Sequence, residues 1–190
     1  MKKIMKYNTI KLHNLPFPII KMENLINIVF SLIEKEKKGY IITPNVDHIM
    51  LIHNDAMLKP IYDDALILIP DGMPLVLLSK LLHKNPLPER ITGSDFFIEF
   101  VKKSCKRKIK IMLIGSQKGA NEKCIEIFKS KYDDLPQFDS YYPPFGFEND
   151  NFENEKLICA INRFNADIVF IGLGCPKQEK WIYNNINNLN

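Results

Sequence analysis

The carboxylate with the clearest chance of doing chemistry is Asp71, because of what precedes it. Leu66, Ile67, Leu68 and Ile69 are four apolar residues in a row, the pattern of a strand buried on both faces. Pro70-Asp71-Gly72-Met73-Pro74 then stops the run abruptly before a helix-like apolar stretch, Leu75 to Leu82. In open α/β sheets ligands bind at the carboxyl ends of the strands, where the departing loops splay apart. Asp-Gly is equally a good turn dipeptide, and on this stretch alone the turn reading is the simpler one.

Three further strand ends carry suggestive residues: Thr43/Asn45/Asp47, Gly115/Ser116, and Gly174/Pro176/Gln178/Glu179. One parallel sheet would set all four ends along a single edge, so that residues distant in sequence converge on one cleft. Arg90, held between Pro88 and Gly93, offers a fork of donors matched to a phosphate or carboxylate, or else forms a surface salt bridge with Glu89 or a neighbour.

Several chemistries are disfavoured. Gly115 and Gly119 lack a following Lys-Ser/Thr, and Gly172-Leu173-Gly174 runs into Cys175-Pro176 instead of a third glycine, which argues against classical P-loop or dinucleotide binding. A nucleotide diphosphate held against helix amino termini stays open. No Asp-x-Asp occurs, and the adjacent pairs Asp63-Asp64 and Asp133-Asp134 read as surface turns, so neither a metal nor another cofactor is expected. His48 and His53, five apart, read as ordinary polar residues. Cys105, Cys124, Cys159 and Cys175 show no metal spacing and suit reduced thiols in the cytosol. A net charge of +4 with scattered basic residues fits an anionic ligand or membrane surface and gives no nucleic-acid stripe. The lysine-bearing amino terminus lacks the apolar core of a secretory signal, and no apolar run is long enough to span a bilayer.

The elements that must position these residues alternate. Short extended pieces over 8–20, broken by Pro16 and Pro18, precede a helix with Leu25, Ile28, Val29, Leu32 and Ile33 on one face, ended by Gly39. Strands are predicted at Tyr40–Ile42, Leu66–Ile69, Ile109–Ile114, Phe138–Tyr142 and Asp167–Leu173. Helices are predicted over about 47–53, 55–63, 75–83, 119–132 and 154–164. One more carries Phe96, Phe97, Phe100 and Val101 and is capped by Gly93 or Ser94, and the last opens with Pro176 in its first turn. The expectation is an α/β fold, a mostly parallel Rossmann-like sheet with helices on both faces, in a single domain over 1–190.

Taken in order, Thr43-Pro44-Asn45-Val46-Asp47, Pro70-Asp71-Gly72, Pro88-Glu89-Arg90-Ile91-Thr92-Gly93-Ser94-Asp95 and Gly172-Leu173-Gly174-Cys175-Pro176-Lys177-Gln178-Glu179-Lys180-Trp181 resemble the WecG/TagA/CpsF family of bacterial glycosyltransferases. The resemblance runs from about Ile20 to Trp181 and looks closest to the TagA-type members of wall teichoic acid synthesis. It implies inverting, metal-independent transfer of N-acetylmannosamine from a UDP donor to N-acetylglucosamine on undecaprenyl diphosphate. It makes Asp71 the general base and assigns substrate-binding roles to Thr43, Asn45, Arg90, Gly93, Asp95, Gly115, Gly174, Gln178 and Glu179, with UDP against the glycine turns at Gly115 and Gly174. It implies an enzyme peripheral at the inner face of the cell membrane, in contact with it through a basic carboxyl-terminal appendage beyond Asn190, and compatible with a homo-oligomer. Alternatives are another UDP-sugar, N-acetylmannosaminuronic acid or glucose, and a non-catalytic nucleotide-sugar-binding subunit.

Overall fold

A computed structural model describes residues 7–115 and 117–190; the first six residues, with the amino-terminal lysines, and Ser116 lie outside the described residues. The chain divides into two compact units, residues 1–98 and 99–190.

The first unit opens with a hairpin of β1 (Thr9–Leu12) and β2 (Leu15–Pro18). His13 and Asn14 both have positive φ, 51° and 64°, as a two-residue turn matched to strand twist requires. Pro16 and Pro18 lie within β2, where the sequence suggested breaks. In the register Lys11↔Pro16 and Thr9↔Pro18 they alternate with the buried Leu15 and Phe17 and occupy positions that need no cross-strand donor. Helix α1 (Met22–Glu34) buries Leu25, Ile26, Val29, Phe30 and Leu32. It ends before Gly39: Glu36, at φ 50°, takes the left-handed position, and its amide and that of Lys37 bond back to Ile33 and Leu32. Gly39 has a different duty, since a Cβ there would lie 2.4 Å from Leu66 Cδ1. At the other end of α1, Lys21 provides no side-chain cap, and Glu89 Oε1 accepts the Met22 amide at 2.7 Å.

Strand β3 (Ile41–Ile42) pairs in parallel with β4 (Ile67–Leu68) across α2 (Val46–Asn54) and α3 (Lys59–Asp63). Bonds from Leu66 to Tyr40 and from Ile69 to Ile42 lengthen this short ladder. Helix α4 (Met73–Leu82) follows, and α5 (Gly93–Ser104) carries the chain into the second unit. The cap of α5 is Thr92, whose Oγ1 accepts the Asp95 amide at 2.9 Å, and neither Gly93 nor Ser94 fills that role.

In the second unit β5 (Lys110–Gly115) is the middle strand, with β6 (Gln137–Tyr141) and β7 (Ile168–Gly172) parallel on either side. Ile111 to Ile114 are all buried, as a central strand covered on both faces demands. Met112 and Ile114 share a core with Leu157 and Ile161 of α7 (Asn151–Phe164) and Trp181 of α8 (Lys177–Asn185). Phe138 pairs with Ile111 and so faces the opposite way, where it stacks on Phe128 of α6 (Ala120–Lys131). Helices therefore cover both faces of this sheet. The α/β class and parallel pairing are as the sequence indicated, but the parallel strands form two sheets, one in each unit, so the four strand ends are shared between two sheet edges.

Gly115 (φ +91°) ends β5 with a Cβ position only 2.4 Å from the Gly172 carbonyl oxygen, whereas Gly119 (φ +83°) opens onto space. Gly115→Ala should therefore cost about 3 kcal/mol of unfolding free energy, combining backbone strain with overpacking, and Gly119→Ala about 1 kcal/mol from strain alone. Urea unfolding of the two variants would show equal losses if β5 and β7 are not packed this closely.

Candidate active site

In the first unit the candidate residues meet where two strand ends are laced side by side. The Asp71 amide donates to the Pro44 carbonyl at 2.9 Å, and the Ile91 amide to the Pro70 carbonyl at 3.1 Å. The segments after β3, after β4 and before α5 thus run together. Gly72 sits at φ +148°, a conformation open to glycine, with a virtual Cβ 3.9 Å from Asn45 Cβ. Asn45 caps α2, its side-chain oxygen accepting the His48 amide at 3.1 Å. Gly93 lies against Thr43, 3.5 Å from its hydroxyl oxygen to a virtual Cβ, and the Gly93 amide bonds the Asp71 carboxylate. Thr43, Asn45, Asp71, Gly93, Arg90 and Asp95 are therefore neighbours; the two strand ends expected to converge here meet, and the segment that carries Arg90, Gly93 and Asp95 joins them.

The Asp71 carboxylate is partly exposed and held above its ordinary pKa. Burial is the largest cause. The Gly93 hydrogen bond and the positive charges of Arg90 and His48 oppose it, and Asp95 adds to the rise. A carboxyl tuned upward in this way is a stronger base once ionised. Arg90 pairs with Asp95 at 3.4 Å, both side chains about half exposed, while Glu89 is engaged with α1. So exposed a pair adds little stability, and its guanidinium remains able to turn toward an anion. Sequence reasoning missed His48, which is buried with Nδ1 2.9 Å from the Tyr62 hydroxyl. The available signal was its place three residues after the Asn45 cap, on the inner side of α2.

The remaining candidates cluster in the second unit. Gly115 abuts Gly172 and Leu173, and its carbonyl accepts from Asn121 Nδ2 at 3.0 Å. The turn after β7 is closed by Gln178: its Oε1 accepts the Leu173 and Gly174 amides at 3.3 and 3.2 Å, and its own amide donates to the Gly174 carbonyl at 3.0 Å. Gln178 Nε2 donates to Glu179 Oε1 at 2.9 Å. Glu179 is 2% exposed, and its Oε2 has no hydrogen-bond partner among the described residues, an acceptor that a ligand hydroxyl or amide would satisfy. Pro176 occupies the position before α8 and follows a cis peptide, one residue short of the first turn the sequence assigned it. Lys177 pairs with Glu148 at 2.8 Å and holds that carboxyl below its usual range, while Trp181 donates to Asn154 Oδ1 at 2.7 Å. These bonds brace the helix that carries Gln178 and Glu179.

Among the described residues no helix is long and apolar enough to cross a membrane. Comparison with known proteins agrees with the ordered motifs. The chain is 28% identical over 175 residues to the N-acetylglucosaminyldiphosphoundecaprenol N-acetyl-beta-D-mannosaminyltransferase of Bacillus subtilis strain 168, covering 91% of this chain and 65% of that protein. The Bacillus spizizenii strain W23 protein of the same name is 31% identical over 155 residues, 80% of this chain and 56% of the relative. The one from Staphylococcus aureus strain MRSA252 is 26% identical over 148 residues, 78% and 56%. The chain thus spans less than two thirds of the length of these relatives. The sequence profile of the Glycosyl transferase WecG/TagA/CpsF family matches residues 10–190, nearly the whole chain, and the chain belongs to that family.

Proposed function

We propose that this chain is the catalytic part of an inverting glycosyltransferase that moves N-acetylmannosamine from UDP to the N-acetylglucosamine of a diphosphoundecaprenol-linked acceptor, the linkage unit of wall teichoic acid. The observation that carries the reading is the Asp71 carboxylate, partly buried and raised in pKa, at the meeting of three chain segments that also bring Thr43, Asn45, Arg90 and Gly93. The names of the relatives supply the acceptor and the transferred sugar. In the proposed step the acceptor hydroxyl oxygen bonds to the anomeric carbon from the face opposite UDP. The bond from that carbon to the phosphate oxygen breaks, its electron pair leaves with UDP, and the hydroxyl proton passes to Asp71. Arg90 meets the anionic diphosphate, exchanging its exposed partner Asp95 for a more strongly charged one. Glu179 Oε2 accepts from a substrate hydroxyl or amide, and Gln178 holds the Gly174 turn in shape around it. No step calls on a metal or another cofactor. The substrate is lipid-linked, so the enzyme works from the cytoplasmic membrane surface.

Three outcomes test the reading. Asp71→Asn should lower acceptor-dependent UDP release on the order of 100-fold or more with donor affinity little changed. Normal turnover, or affinity lost in proportion to rate, would remove Asp71 from the role of base. Turnover of the unaltered chain should fall on the acid side with a midpoint above the ordinary carboxylate value and be indifferent to EDTA; sensitivity to the chelator would contradict the metal-free step. Across UDP-N-acetylmannosamine, UDP-N-acetylglucosamine, UDP-N-acetylmannosaminuronic acid and UDP-glucose, only the first should support release. Acceptor-dependent release with a different donor would reassign the sugar, and binding without turnover of any donor would reduce the chain to a binding subunit.

A further inference from the structure

Helix α4, which begins two residues after Asp71, is apolar almost all round. Its buried side is Leu75, Val76 and Ser79. The opposite side is just as apolar yet faces solvent: Met73 is 47% exposed, Leu77 56%, Leu78 40%, Leu81 81% and Leu82 60%. At about 100° per residue these five side chains fill a continuous arc of roughly half the helix. Amphipathic surface helices put charged and polar residues on that side. Ser79, the one hydroxyl, is turned inward, where it bonds the Val76 carbonyl and the Leu87 amide. Contiguous exposed apolar surface of this kind marks a contact with another apolar body.

Charge identifies the body. From Gly72 to Pro88 the chain contains Lys80, His83 and Lys84 and no carboxylate. Lys80 flanks the exposed arc beside Met73, and Lys84 continues it past the end of the helix. His83 is anchored to the hairpin through Nε2 and the Lys11 carbonyl at 3.1 Å, which brings the exposed Lys11 to the same end. An apolar stripe flanked by lysines, on a helix that carries no carboxylate of its own, complements the acyl boundary and anionic headgroups of a lipid leaflet.

We propose that the outward face of α4 is a membrane-docking surface, seated on an anionic lipid leaflet with Met73, Leu77, Leu78, Leu81 and Leu82 in the acyl boundary and Lys80 and Lys84 at the headgroups. The proposal rests on the functional reading above for one point, that the acceptor is carried by a lipid. It adds a geometric consequence: α4 extends about 15 Å from the Asp71 turn, so a lipid held along its outer face delivers its diphosphate-linked sugar toward the carboxylate without leaving the leaflet.

The test is sedimentation of the 190-residue chain with phosphatidylglycerol vesicles and with phosphatidylcholine vesicles, in the absence of donor and acceptor. Turnover on a soluble short-chain acceptor is assayed separately, so that failure of the docking surface and failure of the proposed reaction are distinguishable. Binding should favour the anionic vesicles. It should fall at least about tenfold in Leu77→Ser/Leu81→Ser and about fivefold per charge in Lys80→Gln and Lys84→Gln. The exposed Ile127→Ser should leave binding unchanged, and soluble turnover should be unaltered in all of these variants. The lysine variants keep the proposal testable if the leucine pair compromises folding. The proposal is overturned if the chain ignores anionic vesicles, if the α4 variants bind as well as the parent, or if the parent is a dimer in solution that these variants merely dissociate.

Discussion

The first unit depends on a pair of backbone hydrogen bonds that join the ends of what are otherwise two-residue strands. Asp71 N–H to Pro44 and Ile91 N–H to Pro70 hold three chain segments side by side at the place where regular pairing has already stopped. Each of the two acceptors is a proline carbonyl, from a residue that cannot donate and whose ring fixes φ, so the laced segments are stiff as well as close. Everything attributed to the site in this unit follows. Asn45 reaches the Gly72 turn because Pro44 is tied to Asp71, and Gly93 reaches Thr43 and the carboxylate because Ile91 is tied to Pro70.

That lacing also decides the electrostatics. Asp71 is drawn in far enough for desolvation to outweigh an amide donor and two positive neighbours, and its carboxyl rises above its ordinary value. The linkage sign is unfavourable to the fold. A carboxyl whose folded pKa exceeds its unfolded one binds its proton more tightly when folded, so stability falls as pH climbs through the interval between the two. Above that interval the fold carries this carboxylate at a cost. Helix α4 carries a comparable conflict, since its outward leucines gain nothing while they face water. Both features stand within one turn of each other along the chain.

Much of this was legible in the residues. Four apolar residues stopped by Pro-Asp-Gly marked a buried strand end bearing a carboxylate, and the neighbours Asn45 and Arg90 stood out in their own loops, whereas Gly93 read there only as a helix cap, a place that Thr92 takes. What could not be read concerns partners rather than elements. Periodicity reports that Ile41–Ile42 and Ile111–Ile114 are strands but not which strands they pair with, so the division into two sheets was invisible. Glu89 capping α1 spans 67 positions, beyond any local pattern. Gly39 looked like a helix stop because glycine favours the left-handed cap, yet Glu36 takes that conformation and Gly39 answers to Leu66 packing. The hydrogen bonds of the Gln178 side chain to the Leu173–Gly174 turn and to Glu179 were equally out of reach, as was the unsatisfied buried oxygen of Glu179.

The central physical claim is that Asp71 is a desolvated carboxylate poised to take a proton. Carbon-13 NMR titration of the aspartate carboxyls, with Asp71 assigned by the resonance missing in Asp71→Asn, measures it without substrate. The account predicts a midpoint above the ordinary aspartate value of about 3.9. A midpoint at or below that value would mean that Arg90, His48 and the Gly93 amide win over burial, and would contradict the account of Asp71 as a base raised by its surroundings.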